Sequence, residues 1–453
     1  MQLILLSGGS GKRLWPLSND TRSKQFLRVL QAPDGSRESM IQRVTRQIRQ
    51  AGIADSLTFA TGAAQRESIV NQIGDNVSIV TEPERRNTFP AIALACGYLS
   101  KEKQCADDEV VVVMPCDVYT ESGYFDTIAR MAQAVEQGAA DIVLMGIEPC
   151  CPSEKFGYIV PSGDGKDGLW RKVERFTEKP DAARAAELLK MGAVWNGGVF
   201  AFRLGHIRQL VDKYVPAGSF SELRERYAEF PKISFDYEVV EKAASVAFVP
   251  YSGKWKDLGT WDTLCEELPS VSQGKVVMGG NNENVHVINE LNTPLVCEGL
   301  KDAVVALSPD GILVCGKDAS EGIKDKVEQI ITAPKYEPTL WGSRRELDAS
   351  LDSSGIMTRT CCITIEKGKS VCWQSSAGKT SWTVVQGSGT LTSTSAVAAP
   401  SAATSAATSS AAAATFKAGM TVNLRAGEKY QLSADLGEEI RLIELKSWKN
   451  DEL

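Results

Sequence analysis

The sequence of 453 residues is poor in histidine, with only His206 and His286. A metal centre built on several imidazoles is therefore not expected. No apolar run is long enough to span a bilayer, and a core strand follows directly on Met1, so neither a signal peptide nor a membrane partner is expected. Positive charge is not in excess. The net charge of −7 argues against a nucleic-acid partner, which would need a basic face, and leaves room only for a local basic pocket. The 11 cysteines, an odd number, lack zinc-ligand spacing, and Cys150-Cys151 and Cys361-Cys362 are adjacent pairs. They read as reduced, mostly buried thiols of a cytoplasmic protein.

What is present is a well-packed globular chain, 43% hydrophobic and 24% charged, long enough for about two to four domains. The first 24 residues organise the rest. Residues 3–6 form a short apolar run that reads as a buried parallel strand. Ser7, Gly8, Gly9, Ser10 and Gly11 follow, then Lys12 and Arg13. Such a loop lets backbone N–H groups approach an anion closely, with two cations at hand. It matches neither GxxxxGK[ST] nor GxGxxG. The alternative is an ordinary glycine-rich turn with a solvated basic pair. Lys24, beyond a Trp15-Pro16-Leu17 turn, can bring another cation back to the loop.

LSGGSGKRLWPLS followed by SKQFL resembles the signature of the sugar-nucleotide pyrophosphorylases, in the mannose-1-phosphate guanylyltransferase form. The resemblance implies attack of a sugar 1-phosphate on the α-phosphate of GTP, with Mg²⁺ as cofactor and pyrophosphate leaving. It implies that Leu6, Ser7, Gly8, Gly9, Gly11 and Lys12 surround the nucleotide, and that Arg13 and Lys24 act on its phosphates. The proline that usually precedes the second lysine is Ser23 here.

Strands and helices alternate through residues 36–146, implying an α/β fold: a Rossmann-like, mostly parallel sheet with helices on both faces. Ligands bind such sheets at the carboxyl ends of strands. Glu82, Asn87 and Thr88 sit at one such end, within a stretch similar to the family's EPxxRNT. Glu82 can accept from the paired N–H donors of guanine. The competing reading makes Asn87 or Thr88 a helix N-cap beside a solvated charge cluster. Residues 109–114, EVVVVM, are the plainest buried strand, and Asp117 follows it. A carboxylate there suits a hard cation bridging phosphates. The family usually has histidine next; this chain has Val118.

Four further segments resemble the family: FGYI with Gly157, Glu178-Lys179-Pro180, Trp195-Asn196-Gly197-Gly198, and SFDYEVVEK with Asp236, which reads as a capped helix start. The resemblance places Gly157, Glu178, Asn196 and Asp236 at the sugar and gives Lys179 the sugar phosphate. Trp255-Lys256-Asp257-Leu258-Gly259-Thr260-Trp261 matches W-x-D-x-G-[ST]-W, making Asp257 the second metal carboxylate beside Asp117. The partners implied are GTP and a sugar 1-phosphate, with heptose or fucose 1-phosphate as alternatives to mannose. A non-catalytic sugar-nucleotide sensor is the reading from another class, against which Arg13, Lys24, Asp117 and Asp257 stand.

These motifs define a catalytic domain over residues 1–275. Residues 276–333 read as a small β region packed on it, ending in a helix over 321–330. Residues 335–342 read as a hinge, and residues 334–453 as a cupin-like β-barrel. Bifunctional relatives carry a histidine cluster in such a barrel; WQSSAGKTSW, from Trp373 to Trp382, has none, so no isomerase activity is expected. What remains for the barrel is homodimer formation or support of a lid. Residues 394–415, almost all Ala, Thr and Ser, read as a disordered loop.

Overall fold

The computed structural model describes residues 1–9, 12–54, 56–163, 168–330, 333–375, 378–393 and 413–449. Gly11 and most of the low-complexity stretch lie outside the described residues. The chain forms two compact units, Met1–Arg13 with Ser23–Pro269, and Leu14–Arg22 with Ser270–Leu453.

The first unit is built on β1 (Gln2–Ser7), β2 (Ser56–Gly62), β3 (Ser78–Glu82), β4 (Val110–Pro115), β5 (Val118–Thr120), β6 (Ile142–Ile147), β7 (Tyr158–Pro161), β8 (Arg171–Thr177), β9 (Val194–Arg203), β10 (Val246–Tyr251) and β11 (Trp255–Asp257). Nine of these form one sheet in the order β3-β2-β1-β4-β9-β6-β10-β8-β7. β3, β2, β1 and β4 pair in parallel, as do β6 and β10, while β9 runs against β4 and β6 and β8 runs against β10 and β7. β7 also pairs with β9, so the last five strands close on themselves. The mostly parallel α/β sheet expected from the alternation is present, with a closed end, antiparallel except between β6 and β10, that alternation could not reveal.

Side-chain alternation divides the core. Leu3, Leu5, Val112 and Met114 share a core with α1 (Met40–Ala51), α2 (Arg66–Ile73) and α4 (Ser122–Glu136); Ile4, Val111 and Val113 face α3 (Thr88–Lys101). All are within a few per cent of full burial. α1 begins in a capping box, Ser39 with Gln42, and ends at Gly52 in the left-handed region. α3 is apolar on nearly every side, as a helix wedged between sheet and neighbours must be.

In the second unit, short strands at His286–Asn289 and Ala303–Ser308 pair in parallel, and Ala303–Ser308 pairs antiparallel with Gly311–Gly316. The expected helix over 321–330 is shorter: a 3₁₀ turn, Ser320–Gly322, then Ile323–Val327. Glu328, Gln329 and Ile330 are exposed and have no apolar face to bury. Leu14–Arg22 belongs to this unit through side-chain anchors. Asn19 donates to Asp310 at 2.7 Å, Ser308 to the Pro16 carbonyl at 2.6 Å, and Arg22 pairs with Glu290 at 2.8 Å.

The C-terminal region is two antiparallel sheets of six and four strands enclosing a core that includes Ile363, Trp382, Leu432 and Leu442. The hinge reading fails over part of its length: Tyr336–Thr339 is an edge strand paired with Gly342–Leu351. The loop reading of 394–415 also ends too late, because Ala414–Lys417 is a strand; residues 394–412 lie outside the described residues. Trp382 donates to buried Glu444 at 3.1 Å, and Arg344 stands 3.6 Å from the same carboxylate. All 11 cysteines are free thiols; five are buried and three exposed. Among the described residues no helix is long and apolar enough to cross a membrane.

Candidate functional site

β1 delivers Ser7, fully buried, and Gly8 and Gly9, exposed at the carboxyl end of the sheet. Gly9 has φ +118°, a conformation that favours glycine. Space beyond both glycines is open. They line a cleft of about 340 Å³ together with Leu6, Ala60, Pro115, Glu82, Arg85, Arg86, Asn87, Thr88, Ala91 and Asp117. The expected nucleotide residues from β1, β3 and α3 therefore share one cavity with an expected metal carboxylate. Lys12 and Arg13 stand in the 3₁₀ turn that follows, Lys12 half-buried and Arg13 exposed.

The side chains at the far wall have structural work to do. Asn87 caps α3 by accepting from the Thr88 amide at 2.8 Å, and Thr88 accepts from the Phe235 amide at 2.9 Å. The capping alternative thus holds for Asn87, whose backbone also sits at φ +81°. Glu82 accepts from Tyr227 at 2.7 Å and lines the cleft. Burial raises the Glu82 carboxyl, against the opposing pull of Tyr227 and Arg85.

Asp117 and Asp257 are 140 positions apart and meet because β5 and β11 form a two-stranded ribbon in which Asp257 lies opposite Val118. Lys24 reaches between them, its Nζ 2.8 Å from Asp117 and 2.7 Å from Asp257. Burial alone would lower the Lys24 ammonium, but the two carboxylates overcome it and hold its pKa above the ordinary value. Val118, where the family has histidine, is buried in the core and offers nothing to the cleft. Among the described residues no group of three or more His, Cys, Asp or Glu converges as metal ligands.

The expected sugar residues also converge. Asn196 on β9 donates to Asp236 at 2.7 Å, and its amide donates to the Gly157 carbonyl at 2.8 Å. A side chain on Gly157 would lie 2.5 Å from Glu178 Oε2. That oxygen is buried without a partner. Burial first, then the neighbouring Asp236, push the Glu178 carboxyl up to about 7; burial raises Asp236 as well. Lys179 holds φ +44° and stands 3.4 Å from Glu178, its side chain largely exposed. The segment is capped as expected, Ser234 Oγ accepting from the Tyr237 amide at 3.3 Å, but Asp236–Val240 is a π-helical turn instead of an α-helix. π turns often occur at functional sites.

Sequence reasoning missed Tyr227, Gln25, Thr61 and Gln65, the last three forming a buried polar cluster with the already noted Ser7 and Ser23. Their contacts join residues far apart in the chain, and no local spacing announces them.

The profile of the Nucleotidyl transferase family matches residues 2–274. The chain belongs to that family. This nucleotidyl transferase is 31% identical over 425 residues to the xanthan biosynthesis protein XanB of Xanthomonas campestris, covering 86% of each chain. It is 29% identical over 430 residues to a mannose-1-phosphate guanylyltransferase of Escherichia coli K12, again covering 86% of each. A crystal structure named mannose-1-phosphate geranyltransferase, from Thermus thermophilus, superposes with TM-score 0.59 at 29% identity, over 72% of this nucleotidyl transferase and 98% of that chain.

Proposed function

We propose that the chain transfers GMP from GTP to mannose 1-phosphate, giving GDP-mannose and pyrophosphate. The observation that carries this reading is the meeting of the glycine loop, Glu82 and the Lys24–Asp117–Asp257 cluster at the carboxyl ends of β1, β3 and β4. The names borne by the relatives, mannose-1-phosphate guanylyltransferase among them, agree with it.

In the reaction, a sugar-phosphate oxygen forms a bond to the α-phosphorus of GTP while the bond to the bridging oxygen of the β-phosphate breaks. Both reactants are anions, so cations and N–H donors dominate the barrier. The Gly8–Gly9 backbone, Lys12 and Arg13 hold the β- and γ-phosphates. Lys24 neutralises charge at the migrating group, and Lys179 holds the attacking phosphate. The nucleophile is already ionised at neutral pH, so no general base is required. Glu82 accepts from guanine N–H donors. Asn196, Asp236 and Glu178 offer hydrogen bonds to sugar hydroxyls.

Asp117 and Asp257 fit a Mg²⁺ ion, because two hard oxygens already converge on one cation, the Lys24 ammonium. When bound there, Mg²⁺ would neutralise phosphate charge. The test is product identification by anion-exchange chromatography, with GTP and mannose, fucose or heptose 1-phosphate offered in turn. GDP-mannose as the preferred product supports the proposal; a better turnover of another sugar reassigns the substrate.

A further inference from the structure

We propose that Gln65 is a positioning residue for the transfer reaction: its carboxamide locks the glycine loop and the Lys24 segment into one body. The inference rests on the nucleotide-site reading above.

Gln65 ends the 3₁₀ turn Ala63–Gln65 just after β2, and 2% of it is exposed. It is not part of the cleft wall. Its Nε2 donates to the Gly9 carbonyl at 3.1 Å and to Ser23 Oγ at 2.7 Å. A carbonyl can only accept, so this contact fixes which end of the amide faces the loop. Its Oε1 accepts from Gln25 Nε2 at 3.4 Å and stands 3.1 Å from Thr61 Oγ1, whose one proton it shares with the Ser7 carbonyl. The ring closes through the partners. Ser23 Oγ donates to the same Gly9 carbonyl at 3.2 Å, Gln25 donates to Ser7 Oγ at 3.2 Å, and Thr61 donates to the Ser7 carbonyl at 2.9 Å.

The consequence lies in what these partners flank. Ser7 and Gly9 bracket Gly8, and Ser23 and Gln25 bracket Lys24. One buried amide therefore fixes both backbones from which the proposed phosphate contacts arise. Gly9, at φ +118°, has no side chain of its own to hold it. A buried network of this kind is rigid only while every member is satisfied. Ser23 supplies a hydroxyl to it, which a proline at that position would not.

The test is steady-state kinetics of the full chain carrying Gln65→Glu, Gln65→Met or Ser23→Ala, with melting temperatures recorded alongside. Gln65→Glu keeps the shape but sets an acceptor against the Gly9 carbonyl. It should raise the KM for GTP about tenfold or more and lower kcat, with the KM for the sugar phosphate within about twofold of wild type. Gln65→Met and Ser23→Ala should show the same split more weakly, with non-additive losses when combined. An unchanged KM for GTP in both Gln65 variants, or equal rises in both KM values, overturns the proposal. If the unaltered chain turns over no substrate, the functional reading fails instead. Amide hydrogen exchange then decides the positioning role: it should quicken at Gly8, Gly9 and Lys24 in Ser23→Ala and Gln65→Met, and unchanged protection there overturns it.

Discussion

Asp117 and Asp257 bring two carboxylates to one cation, the Lys24 ammonium. Asp117→Asn and Asp257→Asn should each lower kcat by about a hundredfold or more, since one of two anionic ligands is lost. Melting curves should show an intact fold, because both carboxylates are partly exposed, Asp117 at 23% and Asp257 at 47%. Near-normal turnover of either variant at limiting Mg²⁺ contradicts the shared-cation role. Glu82 should set base choice. Glu82→Gln keeps one acceptor oxygen but sets N–H against guanine donors, so the preference for GTP over ATP, compared as kcat/KM, should fall about tenfold or more. Glu178 carries a pH signature. Its carboxyl sits near 7 in the folded chain against an ordinary 4.5, so its contribution to stability is complete below 4.5 and is lost as pH rises through about 7. Glu178→Gln should therefore gain melting temperature relative to the unaltered chain on going from about pH 4.5 to about pH 8. No relative gain across that window contradicts the buried, repelled carboxyl.

At the scale of elements, the β5–β11 ribbon and the tight turns around it decide where side chains land. Gly157→Ala should raise the KM for the sugar phosphate and spare that for GTP, because the atoms nearest the added methyl belong to Glu178, Phe176 and Asn196. A change in the KM for GTP alone would show that Gly157 belongs to another subsite. The elements that the sequence declared were those whose reason is local. EVVVVM at 109–114 has no other way to be buried, and α1 belongs to the strand-and-helix alternation of residues 36–146. The elements it concealed have non-local reasons. Gly342–Leu351 is a polar strand with no fully buried residue, held by its neighbours, so its pattern offers no period. Tyr336–Thr339 contains proline and reads as a break, though an edge strand tolerates it. The Gln65 cluster depends on residues from three separate segments meeting, which no spacing can reveal. The convergence of the candidate residues on one cleft was legible because their motifs are short, ordered and chemically distinctive.

Across the whole molecule, the C-terminal sheets pose a separate question. Glu366 and Glu438 are exposed, Glu438 accepts from Ser388, and Glu428 accepts from Tyr430. The buried carboxylate, Glu444, is already engaged by Trp382 and Arg344. The intact chain should therefore not interconvert mannose 6-phosphate and fructose 6-phosphate, a reaction that needs a cation or acid to polarise a carbonyl and a base to move a proton. A coupled assay showing isomerase turnover overturns that expectation. The loop, cluster and carboxylate pocket of the first unit together suit nucleotidyl transfer to a sugar phosphate. The measurement that tests it most directly is pyrophosphate release by the purified chain with Mg²⁺, GTP and mannose 1-phosphate. Release should require both substrates and fall sharply when ATP replaces GTP. Release without the sugar phosphate, or none with any pair of nucleoside triphosphate and sugar 1-phosphate, would contradict it.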